Sequence, residues 1–341
     1  MSQEVPAGSV NPNLRPRRRR ERPASYYVDG IRAGDRVVLS QAITLVESTR
    51  LDDQRKARAI VEACLAHSGP SFRLGITGVP GVGKSTFIEA FGQQLVDAGH
   101  RLAVLTVDPS SQLSRGSILG DKTRMERLAI RPEVYIRPSP AGTSLGGVAA
   151  KTRELILLCE AAGYDFILVE TVGVGQSETA VYQLTDLFLL LLLPGAGDEL
   201  QGIKRGVVEM ADLIAVNKAD EDRLTAAKHA RTAYQRALHL FPPKTNGWTA
   251  KALTCSARNG DGLDRLLRAI QAFQTHVIDN GSFQTNRQQQ ALFWFEDRLQ
   301  QGILRQFLAS PERQAQVVVL RQAIKAGTMS PQAAVAELLE E

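Results

Sequence analysis

The most explicit chemistry in the chain lies in one run: Gly78, Val79, Pro80, Gly81, Val82, Gly83, Lys84, Ser85 and Thr86. Glycines at this spacing let successive backbone N–H groups turn inward on the β- and γ-phosphates of a nucleotide, and the Lys84 ammonium reaches the same oxygens. The Ser85 hydroxyl then falls where it can ligate magnesium. The flanks fit. Phe72 to Thr77 alternates apolar residues as a strand does, and Phe87 to Leu95 has helical spacing, so the positive end of a helix points at the phosphates. A glycine-rich turn that binds nothing would leave the Lys84–Ser85 pair unexplained.

A second motif, Asn217, Lys218, Ala219 and Asp220, follows the apolar run Leu213 to Val216. The Asp220 carboxylate can accept hydrogen bonds from the N1–H and exocyclic amine of guanine, whereas adenine lacks both donors and would leave it unpaired. Asn217 braces this site. Downstream, Leu253 to Cys255 reads as a strand running into Ser256, Ala257 and Arg258, whose backbone N–H groups can hold guanine O6.

Carboxylates recur where strands are expected to end. Asp108 closes the apolar run Arg101 to Val107 and stands before a proline turn, where ligands collect in parallel α/β sheets. Asp121 lies in the glycine-flanked segment Gly116 to Met125. Glu170 closes Phe166 to Val169 and can hold the water shell of magnesium, while Gly173 can present its N–H to a γ-phosphate. A third glycine-rich segment, with Asp198, Gln201 and Lys204, follows the apolar run Leu187 to Leu193. No glutamine stands beside Gly173 to orient an attacking water, since Val172 and Val174 flank it. The expectation is slow intrinsic turnover, with Asp108 or Lys204 brought into place by a partner.

These sites demand a mostly parallel α/β sheet of the P-loop type, and the chain's 341 residues with 43% hydrophobic content can build one with helical appendages. The net charge of +5 is not a nucleic-acid signature, because Arg15, Arg17, Arg18, Arg19, Arg20 and Arg22 concentrate in one tail with no aromatic residue interleaved for base stacking. Residues 1–24 are expected to be disordered, 25–70 a helical prefix, 71–275 the nucleotide domain and 276–341 a helical arm, with a boundary in the polar segment Asp279 to Arg287. In the arm, Leu292, Phe293, Phe295, Leu299, Ile303, Leu304 and Phe307 form one helical stripe, suited to a separate domain or a dimer seam. The 3 cysteines are far apart and suggest no disulfide framework, the basic N-terminal stretch lacks an apolar signal core, and Leu187 to Leu193 is too short to span a bilayer. A cytoplasmic location without membrane or nucleic-acid partners is expected.

Taken together the motifs resemble the bacterial MeaB/ArgK family of G proteins, whose human relative is the MMAA protein. The resemblance rests on Gly78 to Ser85, Val107 to Ser111, Gly116 to Met125, Val169 to Glu178, Pro194 to Lys204 and Asn217 to Asp220, within residues 36–270. It implies a GTPase, binding GTP or GDP with Mg2+, that gates adenosylcobalamin loading into methylmalonyl-CoA mutase or a related acyl-CoA mutase and protects or rescues that enzyme. The cobalamin would belong to the mutase. The resemblance also implies a homodimer joined through the C-terminal arm, assigns Asp108, Asp121 and Glu170 as magnesium and switch carboxylates, and makes residues 194–205 a third switch. Older naming of the family suggests a kinase of an amino-acid-binding transport protein instead. The chain has no His-Arg-Asp catalytic loop, and Asn217 to Asp220 disfavours ATP. A metal-insertion GTPase would need a Cys/His cluster that the sequence lacks.

Overall fold

A computed structural model describes residues 22–108, 125–140, 145–171, 177–195 and 205–340. Three helices come first: α1 (Ala24–Arg32), α2 (Arg36–Glu47) and α3 (Leu51–Leu65). The Asp35 carboxylate caps α2 by accepting from the backbone N–H groups of Val37 and Val38. The nucleotide domain then alternates strand and helix: β1 (Phe72–Gly78), α4 (Lys84–Asp97), β2 (Leu102–Asp108), α5 (Glu126–Ala129), β3 (Val134–Pro140), α6 (Leu145–Ala161) and β4 (Phe166–Thr171). It continues with α7 (Ser177–Tyr182), β5 (Leu187–Leu192), α8 (Arg205–Met210), β6 (Leu213–Val216), α9 (Leu224–Leu238), β7 (Lys251–Thr254) and α10 (Leu263–Asp279). The arm is α11 (Ser282–Phe307), α12 (Pro311–Lys325) and α13 (Pro331–Leu339).

The strands form one sheet in the order β3-β2-β4-β1-β5-β6-β7, every adjacent pair parallel. Strands β1, β4 and β5 are buried along their whole length, as a sheet covered on both faces requires. Alternation sorts the side chains: Ala103, Leu105 and Val107 of β2 pack with α1 to α3 and α6, while Leu102 and Val104 face the cluster containing α4 and α10. The N-terminal helices therefore cover one face of the sheet.

Carboxylates at the N-terminal ends of the strands satisfy backbone donors there. Asp186 accepts from the backbone N–H of Arg73 at 2.8 Å, and Asp212 accepts from that of Phe188 at 2.8 Å. Asp186 and Glu160, with side chains 1% and 3% exposed, are also paired with guanidinium groups. Arg73 reaches Glu160 at 2.7 Å, and Arg287 donates to Asp186 at 2.7 Å and to the Ser71 carbonyl at 3.1 Å. Burial opposes the charge on both arginines; for Arg287 the two carboxylates outweigh it and hold the guanidinium above its ordinary range, whereas Arg73 is left below it.

Arg287 lies in the polar segment read as a boundary, yet it ties α11 to the base of β1 and β5. Removing it strips a cation from two buried carboxylates. Arg287→Met is expected to cost about 3 kcal/mol of unfolding free energy in urea. A loss well under 1 kcal/mol would show that the seam is not stabilised by this pair.

Candidate functional site

The phosphate loop joins β1, in the middle of the sheet, to α4. Gly78 leaves the strand at φ 154°, and a Cβ there would stand 2.6 Å from the Leu191 carbonyl of β5. Gly83, at φ 93°, begins α4, and a Cβ on it would meet the Asn217 side-chain nitrogen at 3.1 Å. Both glycines are thus required by backbone angle and by close neighbours. Lys84 opens the helix with its side chain buried, its Nζ donating to the carbonyls of Gly78 at 2.8 Å and Val79 at 3.4 Å. Burial pushes the Lys84 ammonium below its ordinary range, while the Glu170 and Glu178 carboxylates pull it back. Ser85 is half-buried and Thr86 exposed in the same first turn; Pro80 and Gly81 are exposed at the loop's tip, and Val82 is buried beneath it.

The guanine motif follows β6, two strands away. Asn217 is 1% exposed, and its amide bonds in both directions. Nδ2 donates to the Val82 carbonyl at 2.9 Å, and Oδ1 accepts the Ala257 backbone N–H at 3.0 Å. Lys218 is the one non-glycine residue with positive φ among the described residues, at 57°, and its Nζ donates to the Gly81 carbonyl at 2.8 Å. A left-handed lysine costs about 1 kcal/mol, so its neighbours must hold it there. Asp220 accepts a hydrogen bond from the Ser256 hydroxyl at 2.8 Å, which leaves its other oxygen available. The backbone N–H groups of the 256–258 turn lie beside it, with Ser256 and Ala257 buried and Arg258 exposed.

Glu170, buried at the end of β4, pairs in register with Ile76 of β1 and Thr106 of β2, which brings it to the same edge as Lys84. Asp108 ends β2 at that edge, and its side chain lies outside the described residues, as do Asp121, Gly173, Asp198, Gln201 and Lys204. One residue that residue-by-residue reading did not single out is Glu178, buried in the first turn of α7 and acting on the Lys84 ammonium. Its signal was a carboxylate just beyond a glycine-rich segment. Thr171 at the end of β4 donates to the Thr77 hydroxyl at 2.8 Å, fixing β4 against the strand that feeds the phosphate loop.

The donors suit a magnesium-bound polyphosphate. Oxygen ligands such as the Ser85 hydroxyl and the Glu170 carboxylate are those a hard divalent ion takes, and the Lys84 ammonium sits against loop carbonyls where phosphate oxygens would offer stronger partners. Fold and site together define a P-loop nucleotide-binding protein with a G-domain core.

The comparisons with known proteins agree. A family model described as "Methylmalonyl Co-A mutase-associated GTPase MeaB" matches residues 39–312. "GTPase ArgK" of Escherichia coli is 45% identical over 310 residues, 91% of this chain and 94% of that one. "Methylmalonic aciduria type A homolog, mitochondrial" of mouse is 44% identical over 312 residues, 89% of this chain and 75% of that one. A crystal structure of a protein named "LAO/AO transport system kinase" superposes with a TM-score of 0.74 at 38% identity, covering 93% of this chain and 96% of that one. The chain belongs to the MeaB family of GTPases.

Asn217→Ala would leave the Val82 carbonyl and the Ala257 N–H buried without this partner. Each unsatisfied group costs about 1–3 kcal/mol, so both the unfolding midpoint and the affinity for guanine nucleotide are expected to fall, the latter at least about tenfold. Urea unfolding and a nucleotide titration check this. Unchanged values in both would mean that the bridge is incidental.

Proposed function

We propose that this chain binds and hydrolyses GTP and uses the nucleotide cycle to gate adenosylcobalamin loading into methylmalonyl-CoA mutase or a related acyl-CoA mutase, protecting or reactivating that enzyme. The observation that carries the GTPase half is the Asn217 amide, which joins the phosphate loop to the loop beside Asp220. The mutase half is supported by family membership.

In this reading the loop amides from Gly78 to Thr86 grip the β- and γ-phosphates, and Lys84 leaves its loop carbonyls to neutralise charge on the bridging and γ-oxygens. Asp220 accepts the guanine N1–H and amine, with Ser256 fixing its rotamer; the N–H groups of Ser256 and Ala257, expected to hold O6, are taken by the Asp261 carbonyl and Asn217 Oδ1, which leaves the Arg258 N–H to donate to O6. Ser85, Asp108, Asp121 and Glu170 would hold Mg2+, which supplies charge neutralisation across the β- and γ-phosphates. Gly173 reads the γ-phosphate. Turnover is slow alone, because Val172 and Val174, and not a glutamine, flank Gly173, and a partner that packs the 194–205 segment delivers Lys204. The kinase reading has nothing in its favour beyond the name of one solved relative.

The arm joins two copies. On α11, Leu292, Phe295 and Ile303 are 62%, 63% and 59% exposed, a stripe that a second chain would cover. The divisions at 25–70, 71–275 and 276–341 follow the same reading, with Arg287 holding the arm to the nucleotide domain. No helix among the described residues is long and apolar enough to cross a membrane.

GTPase assays with and without mutase test the proposal. Lys84→Ala is expected to abolish turnover. Lys204→Ala is expected to keep GTP affinity close to wild type and lose the stimulation by mutase, which should stay below the factor of about 10³ to 10⁵ given by an arginine finger, since lysine is a point charge. Full stimulation of the Lys204 variant would remove this segment as the coupling element.

A further inference from the structure

The buried side chains of α11 are Gln290 and Trp294, 5% and 3% exposed, and both end on the same turn of the nucleotide domain. Trp294 Nε1 donates to the Gln183 carbonyl at 3.0 Å, and Gln290 Nε2 donates to the Thr185 carbonyl at 2.8 Å. Near the start of the same helix, Arg287 holds the Asp186 side chain. Positions 287, 290 and 294 share one helix face, and together they grip residues 183, 185 and 186. Carbonyls left over at the end of a helix need donors from outside it. The arm supplies two of them.

The gripped turn is the end of α7. That helix has 6 residues, so only about 9 Å separates its two ends. It lies directly on the strand that feeds the phosphate loop: a Cβ on Gly75 of β1 would stand 2.8 Å from Thr185 Oγ1 and 2.9 Å from the Phe188 ring. Thr185 Oγ1 in turn donates to the Val181 carbonyl at 2.9 Å, which ties the turn back onto α7. At the other end of the helix, in its first turn, Glu178 is 6% exposed and close enough to Lys84 to act on the ammonium. A short helix in close packing shifts as a unit, so whatever fixes its last turn also fixes the carboxylate in its first.

We propose that Gln290 and Trp294 are positioning residues of the GTPase centre: by holding the turn after α7 they set where the Glu178 carboxylate stands beside Lys84, a role that rests on the proposed GTP hydrolysis. Lys84 must leave the Gly78 and Val79 carbonyls to reach phosphate oxygens, and a fixed carboxylate keeps its ammonium aligned when it does. The loop amides, Asn217 and Asp220 bind nucleotide without α7 between them. Loss of the clamp therefore falls on turnover and spares affinity.

The test is single-turnover GTP hydrolysis by the full chain, with GDP affinity from a titration and a urea unfolding midpoint for every variant. Trp294→Phe keeps an aromatic ring and removes the N–H donor, and Gln290→Met keeps the side-chain length and removes the amide. Each is expected to slow hydrolysis about tenfold while GDP affinity stays within about twofold of wild type. Glu178→Gln is expected to slow it at least as much, and adding Trp294→Phe to that variant should cost little more, because the indole acts through this carboxylate. A folded variant of either clamp residue that hydrolyses GTP at the wild-type rate, with or without a lowered midpoint, would overturn the role. So would losses that multiply in the double variant, or a fall in GDP affinity as large as the fall in rate. A wild-type chain that binds GDP and hydrolyses no GTP would overturn the proposed function first, and this role with it.

Discussion

The buried amide of Asn217 is the interaction on which the nucleotide site depends. Phosphate-binding loops aim their N–H groups inward, which turns carbonyls such as that of Val82 toward the protein, where they need a donor. Asn217 supplies it and at the same time holds the Ala257 N–H, so one side chain spans the loops after β1, β6 and β7. Lys218 adds a second tie to Gly81 at the cost of a left-handed backbone. Base recognition and phosphate recognition thereby become parts of one rigid unit, and the glycine at position 83 is what lets the two loops come this close.

The two ends of the sheet divide the work. At the N-terminal ends, Asp186, Asp212 and Glu160 are buried and matched by Arg287, Lys244 and Arg73, and the two aspartates also satisfy strand amides. Burial drives the Asp212 carboxyl upward, and Lys244 at 2.7 Å restrains it. Such networks fix position without offering reactivity. At the C-terminal ends, Lys84 and Glu170 are equally buried but face glycine-rich connections, which is where parallel sheets place ligands.

How much of this could be read from residues alone depended on how local the signal was. The phosphate loop and the Asn217 to Asp220 motif are short patterns with fixed chemistry, and both stand at strand ends as expected. Strand order was not legible: that β1 would lie between β4 and β5, and β3 at an edge, is settled by packing of segments distant in sequence. The stretch Asp279 to Arg287 reads as a domain boundary because most of its residues are polar, and what that reading could not show is that Arg287 sits on carboxylates more than a hundred positions away. The apolar stripe on α11, read as a separate domain or a dimer seam, stays uncovered in the single chain: Leu292, Phe295 and Ile303 face outward, and only Gln290 and Trp294 of that helix are buried. Periodicity reports that a helix has an apolar face, not which surface covers it.

The central claim is that one preassembled site selects guanine over adenine while holding a polyphosphate. Competition of unlabelled GDP and ADP against a fluorescent guanine nucleotide on the purified chain measures it directly. GDP is expected to bind at least about a hundredfold tighter than ADP, the worth of the half-buried Asp220 carboxylate pairing with two donors that adenine lacks. Equal affinities for the two nucleotides would contradict it.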